Sequence, residues 1–169
     1  TIMVMKRIIA IVFVLFLATM QMSAQKIGYI NTEKILSAIP AYESAQQQLK
    51  MFSEMYQREI ENEYSKIETL YNNYQSQKSY LSAQARQQKE NEIISREQEV
   101  KELQDKYFGQ DGLMQKKSEE LLAPIKEKVD AAVKKVALTG NYIVLLDIAS
   151  MQGIAHTNAA YDVSSEVIK

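Results

Sequence analysis

Apolar and polar positions divide the chain into two short apolar segments separated by a long and mostly polar stretch. Residues 26–31 and 141–146 are predicted as strands, and the near-continuous apolar run YIVLL in the second is typical of a strand covered on both faces. Between them, apolar side chains recur at intervals of three and four residues and glycine and proline are rare, so this stretch is predicted as helix. Two or three strands cannot remain folded alone. The pattern therefore predicts an α+β subunit, mostly α, that builds a small β-body with copies of itself and extends an antiparallel helical hairpin as an arm.

The outgoing half of the arm is predicted as one helix over residues 40–78. Pro40 suits the first turn of a helix, where its missing N–H costs no hydrogen bond. The larger side chains follow spacings of three and four, as in a coiled-coil seam, with one run of fours that departs from the heptad. They are Leu49, Phe52, Tyr56, Ile60, Tyr64, Ile67, Tyr71 and Tyr74. The pattern ends at residues 77–82, where Ser82 can cap a second helix, and the tip of the hairpin is predicted there.

The returning half of the arm repeats apolar side chains every seven residues, at Ile93, Val100, Tyr107, Met114 and Leu121. Many partner positions are Gln, Lys or Arg, so the two halves are expected to pair weakly and to bend easily. Gly109 and Gly112 are expected to loosen or kink this helix. Pro124 removes one helical hydrogen bond and is expected to bend the chain again. These three residues are therefore the candidate positions of arm flexibility.

The segments at the two ends of the arm are predicted to form the body. Thr32 is expected to cap a short helix, and Gly140 to end the last helix of the arm. After the second strand, we expect a turn and a further short strand within residues 149–157, then a closing helix over residues 162–168 capped by Asp162. The candidate residues for assembly of the body with other copies are Ile27, Tyr29, Ile30, Ile143, Val144, Leu145 and Leu146.

The N-terminus has the features of a secretory signal. Lys6 and Arg7 precede an unbroken apolar run over residues 8–18, and Ala24 supplies a small residue at a cleavage point. The run is about half of the roughly 20 residues that a membrane-spanning helix requires, so an uncleaved anchor is the weaker alternative. The chain has no cysteine, so disulfides cannot hold it. The expected organisation is a signal peptide over residues 1–24, cleaved near Ala24, a body formed by residues 25–39 and 137–169, and an arm over residues 40–136.

Composition argues against catalytic, metal and nucleic-acid sites. Without the two basic residues of the signal, 18 of the 20 Lys and Arg remain against 21 Asp and Glu, a formal net charge of −3. Nucleic-acid binding would require a basic surface instead. His156 is the only histidine and has no cysteine cluster with which to bind zinc, and Asp147 has no nucleophile or base near it in the sequence. Gly109 and Gly112 lack the Gly-Lys-Ser/Thr sequence that completes a phosphate loop. We therefore expect no enzyme, no metal and no cofactor.

The arm tyrosines have two interpretations. As seam residues, they fill space between the helices. As surface residues, they offer apolar area with a polar tip to an unfolded polypeptide, which we call a client. The candidate client contacts are Tyr64, Tyr71, Tyr74 and Tyr80.

Several motifs resemble those of the Skp/OmpH-type periplasmic chaperones, in the same order. They are KIGYINTEKIL at residues 26–36, IPAY at 39–42, YFGQDG at 107–112, API at 123–125, YIVLLD at 142–147 and NAAYDV at 158–163. The resemblance implies a homotrimer in which strands of three subunits form the β-body and three helical hairpins hang from it around a cavity. It also implies an ATP-independent holdase of the periplasm that binds unfolded outer-membrane proteins and prevents their aggregation. Well-known members are basic, whereas this chain is mildly acidic, and the sequence leaves open a transient contact with a membrane surface.

A structural coiled-coil spacer or adaptor of the cell envelope is the alternative function. A spacer requires a continuous, well-filled seam, and the polar, interrupted seam of this arm favours the holdase. A third interpretation, a periplasmic hydrolase with a helical insertion, lacks a catalytic cluster in the sequence.

Overall fold

The fold is mostly helical with one small sheet, as the sequence pattern predicts. A computed structural model describes residues 26–169, and the predicted signal peptide at residues 1–24 lies outside the described residues. The elements in chain order are β1 (Lys26–Ile30), α1 (Thr32–Ser37), α2 (Pro40–Gln77), α3 (Ala83–Phe108), α4 (Leu113–Thr139), β2 (Tyr142–Asp147), two 3₁₀-helices (Ile148–Ser150 and Ala159–Tyr161) and α5 (Ser164–Ile168).

The two strands pair in parallel although four helices separate them in the sequence. Ile27 lies opposite Val144, and Tyr29 lies opposite Leu146. Parallel neighbours require a crossover connection, which here is the entire arm. The Tyr29 carbonyl also accepts a hydrogen bond of 3.0 Å from the Val163 N–H, so the C-terminal segment lies along the other edge of β1. Within the described residues, β2 is therefore the outer strand, with β1 as its one strand neighbour.

A small apolar core joins this sheet to the base of the arm. It includes Ile35 from α1, Val129 from α4 and Val167 from α5, all buried. Partly buried side chains of α4 and β2 pack against it, so the last arm helix is fixed to the body. The full core is Ile30, Ile35, Val129, Val163 and Val167, surrounded by Leu36, Ile39, Ala132, Val133, Val136, Tyr142 and Leu145.

The helix α2 packs against α3 and α4, which run back in the opposite direction. Side-chain contacts join Tyr74 to Glu90, Tyr64 to Gln104 and Tyr107 to Glu59, so partners on α2 and α3 run in opposite order. The helix α2 ends at Gln77, and Ser82 caps α3 by accepting a hydrogen bond of 3.2 Å from the Ala85 N–H. Residues 78–82 thus form the connection between α2 and α3. The buried seam consists of Tyr56, Ile60, Ile67, Tyr74, Ile93, Val100 and Tyr107.

The two predicted interruptions of the returning helix differ from one another. Residues 109–112 separate α3 from α4 completely, whereas a kink within one helix was the milder expectation. Pro124 lies inside α4, and the helix continues through it to Thr139. Asp111 is the residue of this connection with a left-handed backbone, at φ 62°. Both glycines of the connection have negative φ, which any residue can adopt.

Three predicted details of the body are wrong. The cap of α1 is Asn31, whose side chain accepts from the Lys34 N–H at 3.0 Å, because the Thr32 hydroxyl is bound to Asp147 instead. Residues 149–157 form no strand in the described chain, and Gly153, at φ 83°, interrupts extended backbone there. The closing helix begins at Ser164 and its cap residue is Val163. Asp162, the predicted cap, still accepts the Ser164 N–H at 2.9 Å.

Within the described residues one face of β2 is covered, so cover on both faces stays a prediction for the assembled body. Leu145 packs against the core, but Ile143, Val144 and Leu146 are exposed. The reason is that the described residues provide one layer, the core beside α4, and a two-stranded sheet needs a second layer to cover its other face.

Candidate functional site

The exposed apolar face of the sheet is the first candidate surface. Ile143 is 59% exposed, and Ile27, Val144 and Leu146 are also exposed. These side chains come from adjacent positions of two paired strands, since Ile27 lies opposite Val144. Aliphatic side chains on neighbouring strands form a continuous patch, and such patches mark interaction surfaces more often than isolated apolar residues do. The sheet can therefore bind another apolar surface without any change in its backbone.

The seven residues predicted for assembly divide between this face and the chain's own core. Ile27, Val144 and Leu146 lie on the exposed face, Ile143 is exposed beside them where the strand register is irregular, and Tyr29 is half-buried. Ile30 is 4% exposed and belongs, with Leu145, to the core inside the chain. Those two side chains pack inside the single chain and are not accessible to other copies. The exposed patch is accordingly smaller than the sequence suggests.

Two aspartates hold the sheet and the helices of the body together. Asp147, at the end of β2, accepts hydrogen bonds from the Thr32 N–H at 3.1 Å and from the Thr32 hydroxyl at 2.7 Å. Asp162 accepts from the hydroxyl of fully buried Ser164 at 2.6 Å, and Ser164 Oγ accepts from the Asn31 N–H at 2.9 Å. The contacts of Asp147 with Thr32 and of Ser164 with Asn31 join residues more than a hundred positions apart, so they close the body around the base of the arm. Asp147 therefore has a structural role at this junction.

The charge of Asp162 is stabilised within this network. Burial raises the pKa of the carboxyl, but the hydrogen bonds from the Ser164 hydroxyl and N–H and from the Lys34 ammonium outweigh it. The pKa is therefore lowered from its ordinary value. Lys34 Nζ lies 3.1 Å from the carboxylate and completes an ion pair between α1 and the segment before α5.

The arm seam combines an aromatic stack with carboxylate–phenol hydrogen bonds. The rings of Tyr56 and Tyr107 stack at a centroid distance of 4.1 Å and an interplanar angle of 11°. The Tyr107 hydroxyl donates to Glu59 Oε2 at 2.7 Å, and this hydrogen bond, with burial, raises the pKa of Tyr107 to about 12. Near the tip, the Tyr74 hydroxyl donates to the Glu90 carboxylate, which raises the pKa of Tyr74. Seam positions are thus filled in part by polar pairs that water can reach.

The seam also leaves open space between its helices. A cavity of about 660 Å³ lies between α2 and α3, with Ile67, Leu70, Val100 and Leu103 on its apolar side. Charged side chains, among them Glu63 and Arg96, line the rest of it. This space is a groove open to solvent on its charged side, and Ile67 and Val100 beside it remain buried. Weak pairing of the two halves of the arm therefore stays a prediction.

The four tyrosines predicted to contact clients do not share one environment. Tyr64 and Tyr71 are exposed on the arm, and Tyr80 is 90% exposed at the turn between α2 and α3. Tyr74 is 4% exposed and fills the seam. Three of the four are therefore accessible to another molecule, and Tyr74 corresponds to the alternative interpretation, a seam residue.

Sequence reasoning missed other exposed apolar side chains of the arm: Met51, Met55, Ile94 and Phe108. Their signal is an apolar residue directly next to a seam position, since Met55 precedes Tyr56, Ile94 follows Ile93 and Phe108 follows Tyr107. Adjacent positions on a helix point about 100° apart, so both cannot enter one seam. Phe108 and Tyr64 flank a second, shallower cavity of about 440 Å³ with Ile60 in its lining.

The three residues predicted to make the arm flexible lie at two places. A Cβ at Gly112 would lie 2.8 Å from the Gly109 carbonyl oxygen, and one at Gly109 would overlap Asp105. The glycines therefore permit a close backbone turn between α3 and α4. Pro124 lines a cavity of about 340 Å³ between α4 and the start of α2.

Residues 26–169 contain no group of three or more histidine, cysteine, aspartate or glutamate side chains placed to hold a metal ion. Among the helices of that same part of the chain, none is long and apolar enough to cross a membrane.

Comparison with known proteins identifies the family. The family described as "Outer membrane protein (OmpH-like)" matches residues 26–169. The "Chaperone protein Skp" of Vibrio cholerae is 27% identical over 151 residues, which cover 87% of this chain and 83% of the relative. The "Chaperone protein Skp" of Yersinia enterocolitica is 25% identical over 152 residues, which cover 90% of this chain and 89% of the relative.

A solved structure shares the fold. It is that of a putative outer membrane chaperone (OmpH-like) from Caulobacter crescentus, with a TM-score of 0.68 and 12% sequence identity. The similarity covers 86% of this chain and 83% of that one. The resemblance drawn from the motifs is confirmed: the chain belongs to the Skp/OmpH family, in which the curated relatives are named as chaperones.

Proposed function

We propose that this chain is an ATP-independent holdase chaperone of the periplasm that acts as a homotrimer. Its clients would be unfolded outer-membrane proteins, which it binds and keeps from aggregating. The observation that carries the proposal is the exposed apolar face of a two-stranded sheet in a chain whose remaining length is mostly a helical arm with exposed tyrosines. Membership of a family with named chaperones supports it.

The exposed sheet supports assembly with other copies, and a number of three copies is what the family resemblance implies. Two strands do not form a stable sheet in water, and the patch around Ile143 and Val144 remains uncovered in one chain. Copies that bring these faces together would bury the patch and supply the missing layer. Residues 25–39 and 137–169 would then be the shared body, and residues 40–136 would be three arms around a common space. The signal over residues 1–24 would direct the chain to the periplasm.

The arms suit a client with many weak contact points. An unfolded barrel strand exposes apolar side chains on alternate residues and unpaired backbone groups, both of which promote aggregation. The exposed side chains of Tyr64, Tyr71 and Tyr80 follow one another at intervals of seven and nine residues toward the turn and provide apolar area with a polar tip. Each such contact is weak, but contacts from several arms raise the effective affinity together. Clients of different sizes could be held because the contacts need no single geometry.

Loose packing within the arm would let the space between arms change width. The cavity beside Ile67 and Val100 and the connection at residues 109–112 are the places where the seam has least support. A structural spacer would need the opposite, a continuous and well-filled seam that fixes a length. The Tyr107–Glu59 and Tyr74–Glu90 pairs hold the helices together by polar contacts that water can compete for. A seam that contains polar pairs and is interrupted at residues 109–112 favours the holdase over the spacer.

The proposal is tested by the light-scattering mass of the chain from residue 25 onward, alone and after mixing with a barrel protein diluted from urea. A trimer that forms a discrete soluble complex with the client is the expected result. A trimer that leaves the client to aggregate would favour the spacer, and a folded monomer would overturn the shared body.

A pair of matched variants tests the client surface. Replacing Tyr64, Tyr71 and Tyr80 together by Ser should weaken protection of the client without changing the trimer mass. Replacing three exposed arm glutamines by Ser, at Gln47, Gln57 and Gln84, should leave both unchanged. If the two variants protect the client from aggregation equally well, the three tyrosines are not client contacts.

A further inference from the structure

One exposed face of α2 carries a regular stripe of residues that the holdase proposal uses only in part. We infer that this stripe binds the same stripe of a second copy outside its own shared body, with the two arms antiparallel. The spacing of its members is 3, 4, 3, 4 and 3 residues, which places them along one side of the helix, and all of them are exposed. This outer stripe consists of Glu61, Tyr64, Glu68, Tyr71, Gln75 and Lys78.

The charges of the outer stripe are not neutralised within the chain. Glu61 and Glu68 make no salt bridge in the part of the chain that the structure describes, whereas the neighbouring Glu63 pairs with Lys66 at 2.6 Å. Lys78, at the end nearest the turn, also makes no salt bridge within residues 26–169. Its ammonium lies 5.5 Å from the centroid of the Tyr74 ring. The stripe therefore presents two free carboxylates at one end and a free cation at the other.

The same separation of charge holds for the part of the arm nearest the turn, residues 54–105. Residues 69–89, around the turn, contain three cations and no carboxylate. Residues 54–68 and 90–105, farther from the turn, contain eleven carboxylates and four cations, a formal net charge of −7. A basic end and an acidic shaft on one arm are complementary to those of a second arm that runs in the opposite direction.

The outer stripe specifies a register for this pairing. An antiparallel alignment about a two-fold axis at the level of residues 69 and 70 places Lys78 opposite Glu61 of the second copy. In the same register, Tyr71 lies opposite Glu68 and Gln75 lies opposite Tyr64. Two-fold symmetry makes each of these contacts twice. In a parallel alignment, by contrast, Glu61 would face Glu61 and Glu68 would face Glu68, and like charges directly opposite one another repel.

Such an association would be weak and sensitive to salt. Exposed ion pairs contribute little individually and are screened at physiological ionic strength. Tyr64 and Tyr71 add apolar area to the contact. Both residues are also proposed to contact clients, so a client and a second copy would compete for the outer stripe. This competition rests on the proposed function, whereas the self-association does not.

Cysteine cross-linking tests the register directly, because the chain has no cysteine of its own. Glu61→Cys and Lys78→Cys variants are mixed and oxidised without client. Positions 61 and 78 are 17 residues apart, or about 25 Å along a helix, so one arm cannot form the disulfide within itself and parallel arms in register cannot form it either. The expected result is a covalent dimer of the two variants whose yield falls several-fold in about 0.5 M NaCl.

A mixture of Lys50→Cys and Lys78→Cys is the matched control. Lys50 lies eleven residues before Glu61 and is also exposed, but it is out of register with Lys78 by about 16 Å. An equal yield from this mixture, or no cross-link between positions 61 and 78, would overturn the proposal.

Charge reversal provides a second measurement. Lys78→Glu and Glu61→Lys should each weaken self-association about tenfold or more, because each places like charges opposite one another at two sites. The double variant restores opposite charges in the same register and should recover the association. Sedimentation velocity without client measures this effect, and circular dichroism checks that helix content is unchanged. Failure of the double variant to recover would overturn the register.

Addition of a urea-diluted barrel protein tests the competition separately. The cross-link between positions 61 and 78 should decrease as the client is bound. A chain that protects its client while the cross-link persists would overturn the shared use of the outer stripe and leave the holdase proposal standing. A chain that forms the cross-link but protects no client would overturn the holdase proposal and leave the self-association standing.

Discussion

The Tyr107 hydroxyl donates a hydrogen bond of 2.7 Å to the Glu59 carboxylate and so joins the end of α3 to the middle of α2. The two residues are 48 positions apart in the sequence, and the Tyr107 ring stacks on Tyr56 at the same level. An exposed glutamate thus places its carboxylate against a buried tyrosine at a seam position that an ordinary coiled coil would fill with two apolar side chains.

This pair predicts a change in stability at high pH. Because the folded-state pKa of Tyr107 is raised from 10.0 to about 12, its stabilising contribution is complete below about pH 10. The contribution should be lost as pH rises through about 12, when a phenolate would face a carboxylate. Urea unfolding of the arm, followed by circular dichroism between neutral pH and pH 12, should show this loss.

The variant Tyr107→Phe separates this hydrogen bond from the aromatic stack. It should lower the free energy of unfolding by about 1 kcal/mol at neutral pH, because it removes one hydrogen bond and keeps the ring. Its stability should also fall less than that of the unmodified chain between pH 10 and pH 12. Tyr80→Phe is the control, since that hydroxyl is exposed at the turn. Parallel pH profiles for Tyr107→Phe and the unmodified chain would contradict the assignment.

Spacing alone predicted the elements, but could not decide which tyrosines enter the seam. Two sets of large side chains follow the same spacing along α2. Ile60, Ile67 and Tyr74 are buried in the seam. Tyr64 and Tyr71, on the neighbouring side of the helix, are exposed. Tyrosine is compatible with both positions because its ring is apolar and its hydroxyl is polar. Leu70, next to Tyr71 in the sequence, packs against the seam while Tyr71 remains exposed. Which of two neighbouring residues enters the seam depends on the α3 residues that lie opposite.

The body was harder to predict because its order depends on contacts between distant residues. The Thr32 hydroxyl would be an ordinary helix cap if Asp147 did not bind it from the end of β2. Residues 149–157 have the composition of a short strand, yet the positive φ of Gly153 interrupts it. The apolar run of β2 correctly predicted a strand, but not that one of its faces is exposed in a single chain. Sequence patterns report local preference, and these features are set by tertiary context.

Asp162 predicts a dependence of body stability on low pH. Its folded-state pKa is lowered from 3.8, so its contribution is present above that value and should be lost as pH falls through the lower folded value. Asp162→Asn should therefore destabilise the body at neutral pH and differ less from the unmodified chain below pH 3.8. Thermal unfolding at the two pH values measures the difference. A constant difference between the two chains would contradict the role of the carboxylate charge, and the exposed Glu33→Gln serves as a control.

Gly28 predicts a steric requirement between the strands. A Cβ at this position would lie 2.8 Å from the ring of Tyr142 and 3.0 Å from a methyl group of Leu145. Gly28→Ala should therefore displace Tyr142 and lower the free energy of unfolding by about 1–3 kcal/mol, the usual cost of overpacking. The double variant Gly28→Ala with Tyr142→Ala should show a smaller loss than the sum of the single ones, because the clash is absent. If the losses of unfolding free energy measured by chemical denaturation are additive, the clash between position 28 and Tyr142 is not the cause of the destabilisation.

The exposed and buried isoleucines of the body should separate folding from assembly. Ile35 is 1% exposed within the core of one chain, so Ile35→Ala should cost about 2–5 kcal/mol of folding stability through the cavity that it leaves. Ile143 is 59% exposed, so Ile143→Ser removes no contact that the single chain depends on.

If Ile143 packs against other copies, Ile143→Ser should instead shift the sedimentation mass toward the monomer at concentrations where the unmodified chain is assembled. Its helix content should decrease only to the extent that the assembly is lost, because a subunit whose sheet is shared has no independent body. Ile154→Ser, a change of the same kind at an exposed isoleucine outside the strands, is the matched control. An unchanged mass for Ile143→Ser, together with full helix content, would show that this face of the sheet is not where the copies meet.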